Sequence, residues 1–242
     1  MASESVTILH LETTTLHCSV ALFKGDKVLA SRSIIEEGYS HAENILPFID
    51  EVLEESGTTR AELSAISVSS GPGSYTGLRI GVATAKGICH ALDIPLISVD
   101  TLTVLALAGR AKHPEMDAYL PMLDARRMEV YTRTFTPSSC EIGITATSPV
   151  EALIVDSDTT SRFSEFSSIC FIGDGALKTE PLLAGGGGIF IADYPSAVAA
   201  LPLSMSAFES GKFEDIASYE PHYLKAFQAG VAKDPLGLRD KS

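Results

Sequence analysis

Positive charge is scarce in this sequence. Against 31 Asp and Glu it sets only 18 Lys and Arg, a formal net charge of −13 over 242 residues, and an excess of that sign repels phosphate backbones. The chain is therefore excluded as the main nucleic-acid-binding surface of any assembly; its acidity serves solubility and also suits a basic partner. Cysteine is sparse too: Cys18, Cys89, Cys140 and Cys170 are the only four. No CxxC pair or Cys/His spacing for zinc joins them, and they read as buried free thiols. No apolar run approaches the roughly 20 residues that cross a bilayer, and Met-Ala-Ser-Glu-Ser at the start lacks the basic opening of a signal peptide. Both observations place the chain in the cytoplasm. HExxH, GxSxG and GxGxxG are missing, and no two of the six histidines stand three or four residues apart, so neither a helical metal site nor a nucleotide fingerprint is written here. No cofactor is expected.

What is present centres on Val68-Ser-Ser-Gly-Pro-Gly-Ser-Tyr-Thr-Gly-Leu-Arg79, a strand that breaks into a glycine-rich loop and restarts as a helix. Gly71, Gly73 and Gly77 permit positive φ or close backbone approach, Pro72 fixes its own φ, and Ser74 and Thr76 are candidate caps. Such a loop aims backbone N–H groups at a helix start, where an anion can sit, although an ordinary strand-to-helix turn has the same pattern. A P-loop would need Lys and Ser or Thr after the last glycine, and Leu78 and Arg79 stand there.

Alternation and turn residues predict strands over Val6–Leu11, Leu16–Phe23 and Val28–Ile35, with a hairpin at Lys24-Gly25-Asp26. Ser40-His-Ala-Glu43 has a capping-box pattern before a helical stripe of Ile45, Leu46, Ile49, Val52 and Leu53. Pro47 leaves two options: a kinked helix, or a start at Asn44 with Pro47 in the first turn. A strand over 63–70, a helix over 78–92, a strand over 95–99 and a helix over 102–111 follow. The second half predicts strands at 118–123, 129–135, 169–172 and 189–192 and a helix over 197–209, with Gly185 to Gly188 as a flexible loop or ligand cradle. Antiparallel strands first and crossovers later imply mixed sheets covered by helices.

Few residues offer chemistry. His10 and His17 would face each other across a tight turn at Thr13-Thr14, as a cross-strand pair or the beginnings of a ligand set. Asp124-Ala-Arg126 after a strand forms a local ion pair or turn. On the helix after the glycine loop, small residues at Gly81, Ala83, Ala85, Gly87 and Ala91 leave room for another helix. We take Ile45, Leu46, Ile49, Val52, Ile80, Ala83, Thr84, Gly87 and Ala91 as the candidate partner face, and Gly71, Pro72, Gly73, Ser74, Gly77 and Arg79 as a structural loop.

Glu12-Thr-Thr-Thr15, His41-Ala-Glu-Asn-Ile-Leu-Pro47, the 71–81 loop, Asp93-Ile-Pro95, Asp124-Ala-Arg126 with Glu129-Val-Tyr131, and Tyr219-Glu-Pro-His-Tyr-Leu-Lys225 occur in that order. The series resembles the TsaB family, formerly YeaZ. That resemblance implies the two-lobed α/β fold of the sugar kinases, actin and Hsp-type ATPases (ASKHA), each lobe a mixed five-stranded sheet flanked by helices. It sets the lobes at residues 1–103 and 104–242, the last helix packing back on the first. Glu12-Thr-Thr-Thr15 then corresponds to the first phosphate loop, with Glu in place of Asp and its glycine missing. The HxxxH metal ligands of the catalytic relative, TsaD, fall on Thr101 and Leu105, so catalytic and metal residues are expected to be absent. Implied partners are a TsaD-type subunit, a TsaE-type ATPase through the complex, and a second copy of the chain when alone, with tRNA contacted only indirectly and no membrane. The implied activity is support of threonylcarbamoylation of the adenosine beside the anticodon in tRNAs reading codons that start with A. A metallopeptidase (glycoprotease) or a small-molecule kinase of the same superfamily are the alternatives.

Overall fold

The computed structural model describes residues 5–36, 40–140 and 142–225; Met1–Glu4 of the N-terminal stretch read above lie outside them. Among the described residues twelve strands form two mixed sheets, accompanied by five α-helices.

The first sheet comprises β1 (Thr7–Glu12), β2 (His17–Lys24), β3 (Lys27–Ile35), β4 (Ala65–Ser69) and β5 (Leu96–Val99), in the order β3-β2-β1-β4-β5. The alternation in β1 puts Ile8 in one core and Leu9 and Leu11 in the other, so both faces of the sheet are buried. Helices α1 (His41–Ser56) and α2 (Tyr75–Leu92) cover the Leu9 face. The α1 start departs from expectation: Ser40 makes no side-chain capping bond, and the helix runs from His41 straight through Pro47. The predicted capping box is not formed: Ser40 sits at φ −79° and ψ 3°, away from the extended conformation from which a cap side chain reaches the first turn, and the Asn44 side-chain amide donates to its carbonyl at 3.0 Å. Gly57 closes α1 in the left-handed conformation, which glycine adopts without a Cβ penalty.

The second sheet is built on β6 (Ala118–Asp124), β7 (Glu129–Thr132), β10 (Glu151–Ile154), β11 (Ile169–Ile172) and β12 (Gly188–Ile191), with a hairpin of β8 (Phe135–Pro137) and β9 (Ile144–Ala146) attached to β6. It has seven strands, not the expected five: the strand predicted over 129–135 splits into β7 and β8, and β9 and β10 are short strands that the sequence pattern does not predict. Its main path runs β10-β7-β6-β11-β12. Both sheets read antiparallel, antiparallel, parallel, parallel along their paths. They share one topology, and their loops correspond: β1–β2 with β6–β7, and β4–α2 with the turn after β11.

Helix α3 (Thr101–Lys112), capped by Asp100 accepting from the Thr103 amide at 2.7 Å, lies between the sheets: Val104 belongs to the core under the first, Leu105 to the core of the second. Helix α4 (Ala176–Leu183), not anticipated, covers the second sheet. The helix predicted over 197–209 resolves into a 3-10 turn at Val198–Ala200 and α5 (Leu201–Glu209), which packs on β1 and β5. The glycine run is ordered: residues 184–186 form a 3-10 turn, Gly187 is left-handed, and Gly188 opens β12. Cys18, Cys89 and Cys170 are buried, whereas Cys140 is exposed in the β8–β9 hairpin, correcting that reading. Among the described residues no helix is long and apolar enough to cross a membrane.

Candidate functional site

Glu12 ends β1 fully buried, as are Thr13 and Thr14 beyond it. Its Oε1 accepts from the Thr14 amide at 2.8 Å and the Thr14 hydroxyl at 2.5 Å, and its Oε2 accepts from Ser69 on β4. Behind this lies His10, with Nδ1 2.9 Å from Ser67 Oγ and Nε2 3.4 Å from Ser69 Oγ, while Ser204 of α5 donates to Ser67 at 2.8 Å. The donors align in one direction if His10 carries its proton on Nε2: Ser204 to Ser67 to His10, then His10 to Ser69 to Glu12. Burial holds His10 down to about 3, so the ring is neutral, and burial raises the Glu12 carboxyl against the opposing pull of Ser69 and Thr14. His10 registers with Ala21, while His17 Nδ1 donates to the Pro195 carbonyl at 3.0 Å. The expected His10–His17 pair does not exist, because the turn is longer than a two-residue hairpin.

The glycine loop is pressed onto this same turn. The Ser74 amide donates to the Thr14 carbonyl at 2.6 Å, and the Thr13 hydroxyl donates to the Gly77 carbonyl at 2.7 Å. A Cβ on Gly77 would stand 1.9 Å from the Thr13 carbonyl oxygen, and one on Gly81 2.4 Å from the Thr13 hydroxyl. Gly77 is thus required for contact with the protein's own backbone, and Gly81 for contact with the Thr13 side chain. Ser74 is the cap of α2, accepting from the Gly77 amide at 3.2 Å; Thr76 is not. Two of the N–H donors that a glycine loop at a helix start could offer an anion, those of Ser74 and Gly77, already serve Thr14 and Ser74. On the α1 side, His41 Nε2 donates to the Thr15 carbonyl at 2.8 Å, so one turn seats the first residues of both helices.

Thr101 and Leu105 are fully buried. The Thr101 hydroxyl accepts from the Gly71 amide at 3.1 Å and its amide donates to the Gly71 carbonyl at 3.1 Å; Leu105 packs in the second core. One position anchors the glycine loop and the other fills a core. Among the described residues no group of three His, Cys, Asp or Glu side chains is placed to hold a metal ion.

Outside this braced turn lies the face of α1 and α2. Ile45, Ile49 and Val52 are buried in the chain's own first core and are removed from the candidate partner face: the apolar stripe of α1 is its seat on the sheet. Leu46, 56% exposed, stands on the outer side. On α2 the small residues divide, with Gly81 and Ala85 inward and Ala83, Gly87 and Ala91 exposed at i, i+4 and i+8. Thr84 and Ile80 are half-buried at the margin. Arg79, exposed at the start of α2, lies over the Tyr75 ring at 4.2 Å and donates to the Tyr223 hydroxyl at 3.2 Å, tying Tyr219–Lys225 to the loop. Asp124 does form a turn, accepting from the Arg126 amide at 2.8 Å, but its ion pair is with Lys178 rather than with Arg126.

Fold and site together define an α/β protein of two mixed sheets in which the turn after β1 and the glycine loop before α2 are held against each other beneath a small-residue helix face. A protein family described as "TsaD: tRNA N6-adenosine threonylcarbamoyltransferase" matches residues 36–148. The tRNA threonylcarbamoyladenosine biosynthesis protein TsaB of Escherichia coli (strain K12) is 30% identical over 222 residues, 90% of this chain and 94% of that one. Its namesake in Haemophilus influenzae is 38% identical over 133 residues, about half of each chain at 53%. The structure of YeaZ from Pseudomonas aeruginosa superposes with a TM-score of 0.73 at 24% identity, covering 90% of this chain and all of that one. The chain belongs to the TsaB family.

Proposed function

We propose that this chain is the non-catalytic subunit of a tRNA threonylcarbamoyladenosine synthesis complex, pairing with a TsaD-type catalytic subunit through the exposed sides of α1 and α2. The observation that carries the reading is the fate of the superfamily's working parts. The Thr14 carbonyl is taken up by the glycine loop, and Thr101 and Leu105, the positions that the resemblance aligns with the catalytic relative's metal ligands, are buried in the fold, while Ala83, Gly87 and Ala91 leave a helix surface that another helix can approach closely.

On this reading the break between lobes falls near residues 103/104, α1 and α2 form a bundle with the matching helices of the catalytic subunit, and a TsaE-type ATPase acts on the pair. Alone, the chain uses the same face to form a homodimer. The assembly works in the cytoplasm on tRNAs reading codons that start with A, and the catalytic subunit supplies the main tRNA-binding surface.

Size-exclusion chromatography with light scattering, on the chain alone and mixed with the TsaD-type subunit of the same cell, tests this. A dimer that exchanges into a one-to-one complex is the expected result. Failure to pair, with ATP turnover or stoichiometric metal in the isolated chain, would overturn it.

A further inference from the structure

The loop of the second sheet that corresponds to the buried Glu12 turn has the opposite character. It connects β6 to β7 as Ala125-Arg-Arg-Met128, and Arg126 and Arg127 both have positive φ, 71° and 49°. For residues with a Cβ the left-handed region costs roughly 1–2 kcal/mol each, and two in succession on one surface turn is an outlier that points toward function. The turn is held firmly. Asp124 Oδ1 accepts from the Arg126 amide at 2.8 Å and from Lys178, and the Asp124 amide donates to Asp174 Oδ1 at 2.8 Å. The Glu129 amide donates to the Arg126 carbonyl at 3.1 Å, and the Glu129 carboxylate receives Lys225 at 2.5 Å.

The carboxylates of Asp124 and Glu129 are thus engaged by lysines and that of Asp174 by the Asp124 amide, and burial additionally raises Asp174. Arg126 and Arg127 are exposed, and among the described residues neither guanidinium has an ion-pair partner. In a chain of net charge −13, two unpaired guanidinium groups on a fixed turn are a localised attractive point in a repulsive field. The turn closes the carboxyl end of β6 beside Gly173-Asp174-Gly175, which closes that of β11, the end of an open α/β sheet where ligands are met.

We propose that the Arg126–Arg127 turn is a docking point for the phosphodiester backbone of RNA, a secondary contact by which this chain helps to position the tRNA held mainly by its partner. Guanidinium forks suit phosphate oxygens and fix register without reading sequence. An extended polyanion fits better than an enclosed small phosphate, because both arginines face solvent and the matching loop of the first sheet is filled by Thr14. This inference rests on the proposed function above.

The test is a salt titration of unmodified tRNA binding to the complex of this chain with its TsaD-type subunit, comparing wild type, Arg126→Gly/Arg127→Gly and Arg126→Lys/Arg127→Lys. Glycine relieves the backbone while deleting both charges. The double glycine variant is expected to keep or raise its melting temperature yet flatten the slope of log K against log salt by about 1 to 2; the lysine variant keeps the slope. An unchanged slope in the glycine variant would overturn the proposal. So would loss of subunit pairing with unchanged tRNA affinity in the remaining complex, which would assign the turn to a protein carboxylate. If wild type forms no complex by light scattering, the pairing reading has failed on its own; the same titration on the isolated chain then decides this one, and absence of binding there rejects it.

Discussion

The carbonyl oxygen of Thr14 occupies the space where a side chain on Gly73 would begin: a Cβ there would lie 2.4 Å from it. Although Thr14 and Gly73 are far apart in sequence, their loops leave no room for a side chain between them. The two loops form an internal brace, and the start of α2, which carries the proposed partner face, is positioned by it.

Gly77→Ala is therefore expected to destabilise the chain by more than about 2 kcal/mol, since the new methyl meets backbone that cannot rotate away. Gly87→Ala, where a Cβ meets nothing within 4 Å, should instead stabilise the free chain by up to about 1 kcal/mol. Urea denaturation of both variants separates them; equal effects would contradict the packing described.

Ala83→Arg places a long cation on the exposed side of α2 without touching the core. Pairing with the TsaD-type subunit should weaken at least tenfold, with the unfolding midpoint of the isolated chain unchanged. Calorimetric titration measures the first and thermal denaturation the second. Normal pairing would move the interface elsewhere.

Protonation of His10 supplies a pH signature. Its folded pKa is lowered from 6.5 to about 3 by burial, so between those values the unfolded chain binds one proton more than the native one, and stability falls as pH falls. The contribution is fully present above pH 6.5 and is lost toward pH 3 at up to about 1.4 kcal/mol per pH unit. Glu12, raised by burial, acts in the opposite sense, losing stability as pH rises through its folded pKa. In His10→Gln the acid-side slope should be shallower by one proton, measured by denaturation at several pH values between 3.5 and 6.5. An identical slope would show that the ring is not held neutral.

Thr101→Val keeps the shape of α3 but leaves the Gly71 amide without its acceptor in a buried setting. A loss of about 1–3 kcal/mol is expected, whereas Thr101→Ser should cost less than half of that.

Local chemistry made much of the first sheet legible. Period-two patterning in β1 and β2, the break at Gly71 to Gly77 and the small residues of α2 each declare themselves within a dozen residues. The apolar stripe of α1 was equally visible but ambiguous, because periodicity says that Ile45, Ile49 and Val52 are covered and not by what; only contact with the sheet identified the cover as the chain itself. The Glu12 network was illegible for a related reason: Ser69 is 57 residues away and Ser204 lies 137 beyond Ser67. Helix α4 escaped notice because it is 8 residues long and contains Pro181, and the two positive-φ arginines carry no glycine or asparagine to mark their turn.

The packing of α5 across β1 and β5 also has a bearing on how the chain is made. Ile8, Phe23 and Ile97 share one core with Val104 of α3 and with Ala197, Ala200 and Met205 at and just before α5, so that face of the first sheet is only partly covered until α5 has left the ribosome. About 100 residues separate β5 from α5, and at about 5–20 residues per second the face waits roughly 5–20 s for its cover. During synthesis the first sheet thus presents a partly covered apolar surface that awaits a later segment of its own chain, and cells short of holding chaperones should lose newly made copies of this protein to aggregation.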